Sequence, residues 1–362
     1  MNCQKVLQYL EDKIDMDHLD MVEKTIEDAL SYKKVDFIPL SVTFPQTEFQ
    51  ALPYVEAFND MESMFYNELV SCINTVYVKD YSLLVARSNY GVGTLPSLFG
   101  LKSRVVQSTN LPWVDHVELN EIKNIISKGV PDLDTGFGKR IIETYEYYRE
   151  QLSHYEKCNE SIKLYHPDLQ GPFDVAHLMW GADIYMAMYD SPDLVHELLS
   201  LVTETYIEYI KKIKPYLNDE RGNDYSYHWG TLYRGKIVLR NDSAVNVSKG
   251  MYQEFIQPYD ERILEEFGSG SIHFCGRADQ IVVDMAYTKG NEAMNFGYMD
   301  NVQFGEEYLK LLKKPFMEKN IPIINYHLTK EEYKNYKNTF DTGITLKTSV
   351  DTYEEAVSIL RK

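Results

Sequence analysis

Short apolar runs typical of β-strands recur along the chain and alternate with longer stretches in which apolar residues lie three or four positions apart. This alternation predicts parallel strands joined by crossover helices, and two amphipathic helices over 3–14 and 17–32 precede it. The predicted strands lie at 35–42, 81–87, 161–166, 235–240, 270–275, 292–297, 321–326 and 343–348.

Two of the helical stretches carry recognisable end signals. The stretch 191–214 opens with Ser-Pro, which favours a helix start, and 247–268 ends in glycine. The strand–helix units predict an α/β fold, a (β/α)8 TIM barrel over 35–362 with an N-terminal helical extension over 1–34. A doubly wound open sheet is the alternative, and in both folds the carboxyl ends of the strands carry the chemistry.

Composition narrows the class of protein. The 362 residues are 44% hydrophobic and 25% charged, as in ordinary globular proteins, and the net charge of −18 disfavours binding to nucleic acid or to an anionic membrane. The chain shows neither a signal peptide at its start nor an apolar run of about 18 residues, so we expect a cytoplasmic protein. The four cysteines are far apart, which predicts reduced thiols.

The sequence Ser-Ile-His-Phe-Cys-Gly at 271–276 ends one predicted strand. Residues two apart on a strand share a face, so His273 and Cys275 are expected to face the barrel mouth together, with Phe274 turned towards the helices. Imidazole and thiolate are zinc ligands, and zinc bound in this way can activate a nucleophile. The alternative is a buried histidine beside an inert cysteine.

A second candidate group follows the strand at 235–240. Arg240, Asn241 and Asp242 could reach a ligand from there, or Asp242 could cap a turn or the helix that begins near Ser248.

Two further segments supply candidate substrate-binding side chains. His177 and Trp180 lie in a loop or first helical turn after the strand at 161–166, and His228 lies in an aromatic stretch at 225–235 suited to stacking on a flat ligand. The alternatives are a loop histidine with local partners and simple aromatic packing.

The order of these motifs resembles that of the uroporphyrinogen decarboxylase superfamily. Three segments carry the resemblance. They are residues 171–199, which begin with Gly-Pro-Phe-Asp, the pattern Ser-x-x-x-Tyr-x-Glu-Phe-x-x-Pro-Tyr at 248–259, and Ile-His-Phe-Cys-Gly at 272–276. The last segment is most similar to the branch of cobalamin-dependent methyltransferases, and 110–116 also looks like a segment of that branch. The resemblance implies a (β/α)8 barrel, zinc on His273 and Cys275, and a corrinoid-carrying partner protein.

The chain departs from both patterns of that superfamily. The decarboxylases carry arginines near the first strand and a catalytic aspartate after an early strand, whereas 36–50 holds no arginine and Asn89 stands at the aspartate position. The zinc methyltransferases have a last cysteine ligand near the final strand, where this chain has Ser349 and Val350. Candidates for a third ligand are Glu292, Asp300, His327 and Cys72.

These observations predict a methyltransferase-type enzyme that transfers a methyl group between a small molecule and a corrinoid protein. Asp242 and His177 are expected to bind or protonate the substrate. The alternatives are a decarboxylase-like lyase acting on a tetrapyrrole, or a binding barrel without catalysis. Many enzymes of this fold dimerise through barrel surfaces, which makes a homodimer a candidate assembly. The predicted substrate-binding residues are Asn89, Trp180, His228 and Asn241.

Overall fold

The computed structural model describes residues 2–46, 48–106, 111–299, 305–336 and 340–361. Two capped helices, α1 (Cys3–Lys13) and α2 (Met16–Leu30), come first, close to the predicted ranges. Asn2 and Asp15 cap them by accepting backbone N–H groups three residues on. The division of the chain at residue 34 stays a prediction.

Thirteen strands follow one another along the described parts of the chain. They are β1 (Leu40–Thr43), β2 (Val85–Ala86), β3 (Ser103–Val106), β4 (Leu111–Val114), β5 (Lys163–Leu164), β6 (Glu220–Arg221), β7 (Tyr225–His228), β8 (Thr231–Arg234), β9 (Ile237–Arg240), β10 (Gly270–Cys275), β11 (Asn291–Gly297), β12 (Ile323–His327) and β13 (Ile344–Ser349).

The remaining helices lie between and after these strands. They are α3 (Tyr54–Asn59), α4 (Met61–Val78), α5 (Thr94–Leu98), α6 (Leu119–Lys128), α7 (Gly138–Leu152), α8 (Glu156–Ser161), α9 (Pro172–Trp180), α10 (Asp183–Asp190), α11 (Pro192–Ile213), α12 (Lys249–Phe255), α13 (Gln257–Glu266), α14 (Val282–Ala286), α15 (Gly305–Glu318), α16 (Lys330–Tyr336) and α17 (Tyr353–Leu360), with 3-10 turns at Gly91–Gly93, Lys214–Tyr216 and Asp242–Asn246.

A six-stranded sheet, all of it parallel, forms the centre of the molecule in the order β1-β13-β12-β11-β10-β9. β2 and β5 form a separate parallel pair. Apolar residues of β9 to β13 are buried on both faces, as expected for parallel strands covered by helices. Across β9, β10 and β11, the register places Arg240, His273 and Asn295 side by side.

All eight predicted strands overlap observed strands, and the α/β architecture with a central parallel sheet is confirmed. The first strand also pairs with the last, as it would in a barrel. The closed eight-stranded barrel is not established, because the described residues form no ladder from β1 to β2 or from β5 to β9. At the first gap, the Val42 amide donates to the Asp80 side chain at 2.6 Å. Strands β2 and β5 are also only two residues long.

The aromatic stretch at 225–235 forms a buried β-hairpin, β7–β8. Its two-residue tip is Trp229-Gly230, with φ of 45° and 74°, as a type I′ turn requires. The Gly230 carbonyl accepts the Leu83 amide at 2.7 Å beside β2, and Ser271 at the start of β10 donates to the Arg234 carbonyl at 2.7 Å. The hairpin therefore spans from the β2 side of the molecule to β10.

One predicted helix is interrupted. The stretch 247–268 forms α12 and α13, separated at Ile256, because a proline stands in the first turn of the second helix and has no N–H to continue the first. Within the described residues, the helices are all too short or too polar to cross a membrane.

Candidate functional site

Two side chains at the carboxyl end of β10 face the same side of the sheet. The Cys275 Sγ lies 3.5 Å from the His273 Nε2. Phe274, between them, is buried on the opposite side and packs against Phe296 with ring centroids 5.2 Å apart. Strand alternation produces this arrangement, and it has the orientation that the sequence predicted.

Asp242, which begins the 3-10 turn after β9, joins this pair. Its Oδ1 accepts the Cys275 amide at 2.7 Å and lies 3.6 Å from the His273 Nε2. One ligand atom from each of the three residues lies within 4.8 Å of the others. Asp242 does not cap the following helix, since Ser248 accepts the Met251 amide there. We call Asp242, His273 and Cys275 the Asp-His-Cys cluster.

The cluster fits a zinc ion in donor type and in spacing. Thiolate, imidazole and carboxylate are the three protein ligands of zinc, and at bond lengths of about 2.0 to 2.3 Å tetrahedral ligands lie about 3.3 to 3.8 Å apart. The two separations that involve the His273 Nε2, 3.5 and 3.6 Å, fall in that range. Three protein ligands would leave the fourth position for a substrate or water.

The neighbours of the cluster are closely fitted. The His273 Nδ1 is 2.6 Å from the Asn295 Oδ1. Gly297, at the end of β11, lies so close that a Cβ there would overlap the Cys275 Sγ and come within 3.0 Å of the His273 Cε1. A side chain at Gly297 would therefore displace the Cys275 and His273 side chains.

Burial dominates the protonation of His273 and Cys275. It lowers the pKa of His273, and the Asp242 carboxylate offsets that shift only in part. Burial, then the charge of Asp242, raises the pKa of the Cys275 thiol. Both effects favour the neutral imidazole and the neutral thiol when no cation is bound.

Next to the cluster lies a buried ion-pair network formed by Arg87, Asp168 and Arg240. Asp168 accepts a hydrogen bond from Arg240 and lies 3.6 Å from the Arg87 Nη1. The Gln170 side chain donates to the same carboxylate at 2.7 Å. Burial alone would raise the pKa of Asp168, but Arg240 and Arg87 outweigh it and lower the pKa to about 2.

The hairpin tip connects this network to the cluster. His228 is fully buried and its Nε2 lies 2.9 Å from the Arg240 Nη2. The guanidinium of Arg240 stacks on the Trp229 ring at 4.5 Å, and the Trp229 centroid lies 4.6 Å from that of His273. Burial, with the charges of His166 and Arg240, lowers the pKa of His228 well below its usual range. His228 is therefore a neutral partner of Arg240.

His177, on α9, lies beside the turn that carries Asp242. Its Nδ1 lies 2.8 Å from the hydroxyl of Ser243, the residue after Asp242. The Ser243 amide in turn donates to Asp174 at 2.6 Å. Burial and then His116 lower the pKa of His177, whereas burial and then Asp242 raise the pKa of Asp174.

Three other predicted site residues have partners of their own. Asn241 directly precedes Asp242 in the sequence, but its side chain donates a hydrogen bond to Asp260 at 2.6 Å. The Asn89 amide faces Glu68 at 3.4 Å, and Trp180 is buried at the end of α9. The contacts described for Asn89 and Trp180 do not include the cluster.

The predicted third ligands do not complete the pair. Glu292 lies at the opposite end of β11, 3.2 Å from Arg234, and Cys72 donates within the core to the Glu68 and Val85 carbonyls. His327, at the end of β12, packs against Tyr298 and lies outside the 4.8 Å group. Asp300 falls outside the described residues. Asp242, predicted as a catalytic group, takes the place of these candidates beside the pair.

Sequence reasoning missed Asn295, Trp229 and Asp168. Asn295 lies between Met294 and Phe296 in the apolar second half of its strand, which is a signal, because a polar side chain on a buried strand needs a specific partner. Trp229-Gly230 lies between two β-rich runs, as the turn of a hairpin would. The type I′ turn requires a positive φ at both residues, which tryptophan rarely adopts, so the sequence does not indicate this hairpin clearly. Asp168 has no sequence signal that we can identify.

Comparisons with known proteins give a structural likeness. A scan against protein-family models finds no match, and a search of curated proteins finds none either. Among solved structures, a methyltransferase from Methanosarcina mazei is similar over 94% of this chain and 97% of its own, with a TM-score of 0.65 and 16% sequence identity. At that identity the likeness concerns the fold.

Proposed function

We propose that this chain is a methyltransferase-type enzyme in which the Asp-His-Cys cluster holds zinc. The observation that carries the proposal is the convergence of the three side chains at the carboxyl end of the parallel sheet. In α/β folds ligands bind at that end of the strands. The methyltransferase with a similar fold adds support for the reaction class.

Zinc, when bound, would supply Lewis acidity and lower the pKa of a coordinated thiol or water. In this proposal Asp242, His273 and Cys275 hold the ion. His177 orients or protonates the small molecule, because its ring lies beside the turn that carries Asp242. Trp229 packs edge-on against both His228 and His273, with ring centroids 4.3 and 4.6 Å away, and so supports the imidazole of His273.

The second reactant in the proposal is a corrinoid carried by a partner protein in the cytoplasm. Two apolar side chains directly after β11, Tyr298 and Met299, are 44% and 47% exposed. Met299 lies against the turn after Cys275, where a Cβ at Gly276 would be 3.1 Å from its sulfur. In the proposal, the partner protein contacts the molecule at these two side chains.

Metal content tests the site directly. We expect about one zinc per chain in the wild type, loss of zinc in Cys275→Ala, and retention in the matched control Cys72→Ala, whose thiol lies in α4 away from the cluster. Elemental analysis of the purified, folded proteins gives the answer. A wild type without zinc would contradict the proposal and favour a metal-free lyase or an inactive binding barrel.

Methyl transfer is tested with free methylcobalamin and 2-mercaptoethanol under anaerobic conditions. The thiol sulfur would take the methyl group, its proton would pass to solvent, and the cobalt would keep the bonding electron pair as cob(I)alamin. We expect a change in the corrin absorption spectrum that is faster than the uncatalysed rate and absent in Cys275→Ala. Equal rates in both proteins would contradict methyl transfer at this cluster.

A further inference from the structure

His273 can bind a cation through Nε2 only if that nitrogen has a free lone pair. A neutral imidazole carries its hydrogen on one nitrogen, and the hydrogen bond of the other nitrogen decides which one. The Nε2 of His273 faces the Cys275 Sγ at 3.5 Å and the Asp242 Oδ1 at 3.6 Å. The tautomer of His273 therefore depends on what Nδ1 contacts.

The group that contacts Nδ1 is the side chain of Asn295. Its Nδ2 donates to the Ile324 carbonyl at 2.6 Å, which fixes the orientation of the amide. The Oδ1 is then directed at the His273 Nδ1, 2.6 Å away. Because Oδ1 can only accept a hydrogen bond, Nδ1 must be the donor.

The strand geometry explains why the Ile324 carbonyl is available. Asn325, the next residue, has a φ of 48°, and the pairing of β12 with β13 shifts register at this point. The Asn325 amide donates to the Thr345 side chain at 2.7 Å instead of to a strand carbonyl. Both His273 and Asn295 are only 6% exposed, so water has little access to this contact.

From this geometry we infer that Asn295 is a positioning residue that holds His273 as the Nδ1–H tautomer and directs its Nε2 lone pair towards Cys275 and Asp242. The tautomer follows from this chain alone, and its consequence for zinc affinity rests on the proposed function. Partners that orient a metal-binding histidine in this way are worth about 10- to 100-fold in metal affinity.

Two measurements on the same variants test the inference. NMR of metal-free protein labelled with 15N-histidine reports the tautomer, with His273→Gln used to assign the resonance. Competition with a chromogenic chelator reports zinc affinity. The variants are Asn295→Ala, which removes the acceptor, and Asn295→Asp, which keeps it. The matched control is Asn291→Ala, a buried asparagine at the other end of β11 that donates to the Met285 and Ala286 carbonyls.

We expect the Nδ1–H tautomer in the wild type, in Asn295→Asp and in Asn291→Ala. In Asn295→Ala the tautomer preference should be lost and zinc affinity should fall about 10- to 100-fold. An Nε2–H tautomer in the wild type, or an unchanged tautomer and affinity in Asn295→Ala, would overturn the inference. If wild type binds no zinc yet shows the Nδ1–H tautomer set by Asn295, the proposed function fails and the positioning role of Asn295 stands.

Discussion

Two polar groups lie next to each other at the carboxyl ends of the parallel strands, and they differ in how their charges are satisfied. In the Arg87–Asp168–Arg240 network the carboxylate already has two guanidinium partners and a glutamine amide. In the Asp-His-Cys cluster one carboxylate faces a neutral imidazole and a neutral thiol, with no cation among the three.

This difference in charge balance indicates that the Arg87–Asp168–Arg240 network is structural and that the Asp-His-Cys cluster is a candidate binding site. Buried charges that neutralise one another need each other, and removing one partner is costly because it leaves an uncompensated buried charge. A carboxylate, an imidazole and a thiol that share one space without a positive charge can gain most from an added cation. Changes in the network should therefore alter folding, and changes in the cluster should alter metal binding.

The largest change in the free energy of unfolding is expected for Asp168→Asn. This change leaves Arg87 and Arg240 without their carboxylate in the centre of the molecule, and should lower the free energy of unfolding by roughly 3 to 5 kcal/mol. Urea denaturation measures the loss. Folded Asp168→Asn should still bind zinc, and a variant that lost zinc while keeping its stability would reverse the assignment of the two groups.

A somewhat smaller change in the free energy of unfolding is expected when zinc is added. Because zinc would bind the folded cluster, free zinc at about 100 times its Kd should raise the free energy of unfolding by about 2.7 kcal/mol. Asp242→Asn and Cys275→Ala should abolish most of this gain, whereas Cys72→Ala should keep it. Thermal denaturation with and without zinc provides the measurement, and a gain that persists in Cys275→Ala would place the metal elsewhere.

The network should also show a characteristic pH dependence. The pKa of Asp168 is lowered to about 2 in the folded protein, below its unfolded value, so its contribution to stability is complete above pH about 4. That contribution is lost as pH falls through about 2. The stability difference between wild type and Asp168→Asn should be constant from pH 7 to about 4 and shrink below it. A difference that grows on acidification would contradict the ion pairing.

The smallest effect is expected for Cys275→Ala in zinc-free protein. The side chain is partly exposed at the end of β10, so the free energy of unfolding should change by less than about 1 kcal/mol. Cys72→Ala, in the core, should cost more than Cys275→Ala in the same denaturation experiment. The reverse order would show that Cys275 is a packing residue.

Much of the fold was predictable because the strands of a parallel sheet are short, apolar and separated by helices. The strand predicted at 270–275 matches β10 residue for residue. The alternation of side chains along it also predicted correctly that His273 and Cys275 share one face and that Phe274 lies on the other. The interruption at Ile256 and the β7–β8 hairpin were missed. In both, local backbone chemistry outweighs the hydrophobic period: a proline without an N–H, and two residues at positive φ.

The candidate site was only partly predictable. His273 and Cys275 are two residues apart on one strand, so the strand period alone brings them together. Asp242 was predicted as a separate catalytic group, and its contact with the pair depends on how the turn after β9 packs beside β10. The third ligands proposed from the sequence were chosen by residue type, which contains no information about which strand ends are neighbours.

The sequence by itself determined the order of the eight parallel strands and the pairing of His273 with Cys275, because these follow from residue spacing within single segments. The tertiary structure decided the rest. Asp242 as the third member of the cluster, Asn295 behind His273 and the two arginines around Asp168 each join residues from different strand ends. Such contacts arise from the register between strands and the packing of the turns that follow them, and neither is a property of one segment.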